Sequence, residues 1–134
     1  MQTILRIIER AGGWNPGLFL KIENAPYMAL VIEAIEQGPS GLPTVSVAHY
    51  GEQNGDLMRD PEMCFELREG ELDPHYYRND YVGVEQWSRN TIRGQYVQLA
   101  HLHAQHQQFA NVWDNNLRCQ GFAEAYEQQL ALPA

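Results

Sequence analysis

Tyr96 to Gln120 form a run of 25 residues with neither glycine nor proline, whereas the chain before them is broken by such residues at short intervals. Glycine and proline are the strongest punctuation a sequence carries, so two different architectures meet near residue 95. Within the unbroken run, Leu99, Leu102, His106, Phe109, Trp113 and Leu117 recur at steps of three and four. That spacing predicts one stripe of a long helix facing a core. Gly121 marks a break, and FAEAYEQQLAL (122–132) predicts a shorter second helix, so residues 95–132 read as helical.

The punctuated part reads as strands. Ile4, Ile7 and Ile8 first predict a short amphipathic helix within 1–13, stopped by Gly12-Gly13. Leu18, Leu20 and Ile22 then alternate with wetter residues, the period of a strand. YMALVIEAIE (27–36) is too compact for periodicity to decide; a strand is preferred for its Val31, Ile32 and Ile35, with a short helix left open. Thr44–Tyr50 alternates cleanly. Asn54-Gly55 is a strong hairpin signal, because a type I′ turn needs two residues with positive φ. The return strand is expected over 62–68, with a bulge or irregular entry at Asp60-Pro61, and a further pair over 75–78 and 81–87. Strands followed by helices predict an α+β fold. The expected form is an antiparallel β-meander of four to six strands over 17–88, packed against the long C-terminal helix, in one domain spanning 1–134.

Charge narrows the functions. The chain of 134 residues carries a formal −8, and only one of its nine basic residues is a lysine. Glu52, Asp56, Asp60, Glu62, Glu66, Glu69, Glu71 and Asp73 are opposed in their segment only by Arg59 and Arg68, a net −6 within 22 residues. Such a surface repels phosphate backbones, so direct nucleic-acid binding is not expected; a protein with a basic surface fits the field better. No apolar run reaches the roughly 18 residues of a membrane span. The opening MQTILRIIER is too soon interrupted by charge for a signal peptide.

Catalytic sets are hard to assemble. His49, Glu52, Asp56 and Asp60 could converge at a hairpin end as a metal-assisted hydrolytic site, yet no known metal spacing is present. Cys64 shares a strand face with Glu62 and Glu66, which would raise its pKa and suppress the thiolate. His101, His103 and His106 cannot ligate together from one helix, because 101 and 103 point about 200° apart. His106 is expected as a hydrogen-bonded core residue and the other two as solvated. Protonating all five histidines would take the formal charge from −8 to −3 and could tune partner binding. No glycine-rich phosphate cradle occurs, so no cofactor is expected. Arg89 and Arg93, four apart, could grip an anion or an acidic partner, and Tyr76, Tyr77, Tyr81 and Trp87 could make an adhesive ribbon of interface-type residues.

The runs ENAPYMALVIEAI, SVAHYGEQNGDLMRDPEMCFEL and NLRCQGF resemble a bacterial family of unknown function, over about residues 18–122. The segment from His49 through Glu62 is the most specific part. Members of that family are small accessory proteins of plasmids, integrative elements and phages. The resemblance carries no catalytic residues. It implies a bacterial cytoplasmic protein of a mobile element, a setting in which small acidic proteins bind and block host machinery such as CRISPR or restriction complexes, in some cases as DNA mimics. The expectation is therefore a non-enzymatic inhibitor whose acidic hairpin, 52–73, meets a basic host protein or ribonucleoprotein.

Overall fold

The computed structural model describes residues 1–132. Helix α1 (Gln2–Arg10) is followed by six strands, β1 (Phe19–Asn24), β2 (Tyr27–Ile35), β3 (Thr44–Gln53), β4 (Asp56–Arg68), β5 (Glu71–Asn79) and β6 (Val84–Trp87). They form one antiparallel sheet in the order of the chain. A separate two-stranded hairpin, β7 (Arg89–Ile92) and β8 (Gln95–Gln98), leads into α2 (Ala100–Cys119) and α3 (Phe122–Leu130). The α+β meander expected from the residue pattern is thus the fold.

Alternation decides which face of the sheet is dry. Leu20, Ile32, Val47, Met63 and Tyr77 lie in one row across five strands, and Ala34, Val45, Phe65 and Pro74 in the next. These rows meet Ile4, Ile7 and Ile8 of α1, Ala110, Trp113 and Leu117 of α2, and Phe122 and Tyr126 of α3. Each fully buried aliphatic side chain there contributes roughly 1.5–3 kcal/mol. The Thr3 N–H, a helix N-terminal donor without an intrahelical partner, donates to Asp114 Oδ1 at 3.0 Å and ties α1 to α2. Segment 27–35 is a strand because β1 and β3 flank it on both sides, and Leu30 and Ile32 are completely covered.

Three expectations need correction. The return strand begins at Asp56, not at 62. Asp60-Pro61 makes the expected bulge, now inside the strand: the register steps from Ala48↔Glu62 to Tyr50↔Arg59, so Asp60 and Pro61 together oppose His49. The long helix starts at Ala100, because Gln95–Gln98 pair with Arg89–Ile92. Arg93 and Gly94 sit between these strands with φ of 52° and 77°, the two positive values of a tight hairpin turn. The stripe shifts as well. The buried side of α2 is His106, Ala110, Trp113 and Leu117, while Leu99 and Phe109 are exposed.

Candidate functional site

The most heavily built polar centre joins Glu66 of β4 to Arg89 of β7. Both side chains are out of solvent, at 0% and 1% exposure. Arg89 Nη2 lies 2.7 Å from Glu66 Oε1, a charge contact without good hydrogen-bond alignment, and 3.4 Å from Asp73 Oδ2. The guanidinium also donates to the carbonyls of Pro74 and Asp73, each at 3.2 Å, and to the Tyr96 hydroxyl at 3.3 Å. Glu66 Oε2 accepts the backbone N–H groups of Ser40 and Leu42 at 2.9 and 3.2 Å. Gly38 lies so close to this carboxylate that an added Cβ would meet Glu66 Cδ and Thr44 Oγ1, each at 2.7 Å. Burial alone would push the Glu66 carboxyl up; the Ser40 N–H, Arg89 and the Leu42 N–H outweigh it and hold the group below its ordinary value.

Three histidines surround this centre. His103 Nε2 meets Asp73 Oδ1 at 2.7 Å, so it is engaged by β5 rather than solvated as expected. His106 contacts Ser88 Oγ through Nδ1 at 2.8 Å and Gln86 Oε1 through Nε2 at 3.1 Å, the hydrogen-bonded core role expected of it. Because Gln86 Oε1 can only accept, Nε2 carries the proton and Nδ1 accepts from the hydroxyl. His75 is buried and, among the described residues, its Nδ1 has no hydrogen-bond partner. Burial, with Arg89 close by, holds His75 down to about 4; burial, with His103 close by, does the same to His106. His49 is lowered by burial too, between Trp113 and Phe122. Three of the five histidines are therefore held toward the neutral form, which shrinks the charge swing read from the residue count.

The acidic segment divides. Glu66 is sealed beneath Arg89 and cannot meet a partner, which corrects its assignment to the docking surface. Asp73 is engaged by Arg68, Arg89 and His103. Glu62 accepts from Ser46 at 2.6 Å and faces Arg59 at 3.6 Å, and Asp60 accepts from Asn79 at 2.9 Å. Glu52, Asp56, Glu69 and Glu71 remain exposed. The first two lie at the β3–β4 turn and the last two at the β4–β5 turn, opposite ends of the 13-residue β4 and about 40 Å apart along it.

The remaining candidates separate in the same way. Arg89 is saturated within the fold and grips no external anion, while Arg93 stands in the β7–β8 turn, so the two form no clamp. Tyr76 and Trp87 pair on the open sheet face with ring centroids 5.2 Å apart, and the Tyr76 hydroxyl donates to Glu85 at 2.5 Å. Tyr77 points the other way, against Phe109 and His106, and Tyr81 is exposed with its hydroxyl on Gly51. The aromatic ribbon is thus split between faces. His49 is buried beneath the helices while Glu52 and Asp56 are exposed at the hairpin tip, so the alternative metal set does not converge. Among the described residues no group of three or more histidine, cysteine or acidic side chains is placed to hold a metal ion. Cys64 is buried, and burial followed by the Glu62 charge pushes its thiol far above the usual range. No described helix is long and apolar enough to cross a membrane.

Sequence reading did not foresee the roles that Ser40, His75 and Ser88 play here. Each is polar, lies outside any motif, and acquires its role only when distant segments meet.

A six-stranded antiparallel meander with helices on one face and a buried ion-pair centre at its margin defines the class of this protein. A family model described as a domain of unknown function, DUF6908, matches residues 2–123, and the chain belongs to that family. No curated protein and no solved structure matches it.

Proposed function

We propose that this protein is a non-enzymatic binding protein of a bacterial mobile element, acting in the cytoplasm on a basic surface of a host protein or ribonucleoprotein. A defence complex of the CRISPR or restriction type is the favoured partner. The observation that carries this reading is the imbalance of surface charge. Of the nine basic residues, Arg10, Lys21, Arg59, Arg68, Arg78 and Arg89 sit in intramolecular ion pairs. Glu52, Asp56, Glu69 and Glu71 are exposed and, among the described residues, have no such pair. The fold leaves two uncompensated acidic poles, and a potential of that sign attracts positive surfaces and repels nucleic acid. The acids that a binding surface can use are the four polar-end residues rather than the whole hairpin.

The test is affinity capture from bacterial lysate, read by mass spectrometry, with the native chain beside E52K/D56K and E69K/E71K. The expected result is a basic partner retained by the native chain at low salt and lost from at least one reversal variant. Equal retention by all three would refute the reading.

A further inference from the structure

We propose that β1 is a self-association edge: two copies pair their β1 strands antiparallel across a two-fold axis, and the Gln129 side-chain amide competes with that pairing. β1 borders β2 on one side only, so among the described residues its other side faces no neighbouring strand. Leu18 O is bonded to Ala34 N, so along β1 the even residues turn their backbone inward and Phe19, Lys21 and Glu23 turn theirs outward. Gln129 of α3 fills the outward positions. Its Nε2 donates to Lys21 O at 2.9 Å and its Oε1 accepts from Glu23 N at 3.3 Å. A side-chain amide there stands where the peptide groups of a neighbouring strand would stand. Beside it, a groove of about 480 Å³ runs between the strand and α3, lined by Lys21, Glu23, Ala125, Gln128, Gln129 and Leu132.

Charge selects both the occupant and the register. Lys21 and Glu23 are exposed on the same sheet face and make only a loose contact of 3.4 Å with each other. With Ile22 on the two-fold axis, Lys21 of each copy lies directly opposite Glu23 of the other. Both are outward-bonding residues, as a hydrogen-bonded antiparallel pair requires. A shift by two residues, the smallest that keeps outward-bonding residues opposite one another, places Lys21 against Lys21 or Glu23 against Glu23. Like charges directly opposite are destabilising. The strand is therefore complementary to itself in one register, with Ile22 meeting Ile22 on the helix-covered face. The other sheet edge lacks these features: β6 has four residues, and its Glu85 and Gln86 are held by Tyr76 and His106.

Sedimentation velocity over a concentration series tests this with the full chain and the variants Q129A, K21E, E23K and K21E/E23K, each checked for folding by circular dichroism. The expected result is a concentration-dependent dimer that tightens in Q129A and weakens about tenfold in each single reversal. The double swap, which restores opposite charges across the axis, should return it to the native value. A native chain and Q129A that both stay monomeric would overturn the proposal. So would a dimer indifferent to the single reversals, or one not rescued by the swap.

Discussion

Replacing Arg89 by methionine keeps a flexible unbranched stem and deletes the guanidinium. The change leaves Glu66 at 0% exposure with the Ser40 and Leu42 N–H groups and a distant 3.9 Å contact with Arg68, and removes the 2.7 Å charge contact with Arg89. It also strips donors from the Pro74 and Asp73 carbonyls. Removing one member of a buried pair costs about 3–5 kcal/mol, because the other charge is stranded. Against a total stability of roughly 5–15 kcal/mol this is a large fraction. For a chain of this size it lowers Tm by about 10 °C. Urea unfolding followed by the fluorescence of Trp14, Trp87 and Trp113 measures it, with Trp87 two residues from the lesion. The combined variant E66Q/R89M should cost less than the two single changes together, with a coupling of about 2 kcal/mol, since the stranded charge is gone. A loss under about 1 kcal/mol for R89M, or strict additivity in the cycle, would refute the assignment of this pair as the anchor of the β7–β8 hairpin.

Acid should weaken the fold before ordinary carboxylates titrate. His75 and His106 are held near 4 when folded and titrate near 6.5 when unfolded, so between those values the unfolded chain binds more protons. Their contribution is complete above about pH 6.5 and is lost as pH falls toward 4, with a slope approaching ~2.7 kcal/mol per pH unit while both titrate only in the unfolded chain. Glu66, held low, adds a further loss below the usual carboxylate range. Urea midpoints that stay level from pH 6.5 to 4.5 would contradict the burial of two neutral imidazoles. Gly38→Ala should destabilise by about 1–3 kcal/mol, because its methyl group enters space held by the Glu66 carboxylate. A neutral result in the same assay would show that the 38–42 loop relaxes freely.

Periodicity carried the fold where one face of an element is dry. Val45 and Val47, or Ile4, Ile7 and Ile8, are legible because a single sheet or helix face sorts them. It failed at 95–98, where β8 is exposed along its whole length and its partner strand is set by the Arg93-Gly94 turn and the burial of Arg89. The acidic segment was legible as a charge density and illegible as a surface. Strand alternation alone cannot show that Glu66 turns into a nest of N–H groups supplied by residues 40 and 42, or that Asp73 meets a histidine 30 positions away. Arg89 reads as a surface cation in sequence because its anchors, Glu66, Asp73, Pro74 and Tyr96, come from three other strands. Buried polar centres are products of tertiary assembly, and no local pattern announces them.

The division of the acids into an internal set and a partner-facing set is best tested on one captured partner, by measuring its affinity for the native chain, E52K/D56K, E69K/E71K and R89M by calorimetry at two salt concentrations. The account predicts that the charge reversals weaken binding and flatten its salt dependence while leaving the unfolding free energy from urea titration within about 0.5 kcal/mol of native. R89M should do the opposite, lowering stability while the folded fraction binds normally. Undiminished affinity in both reversal variants would contradict it.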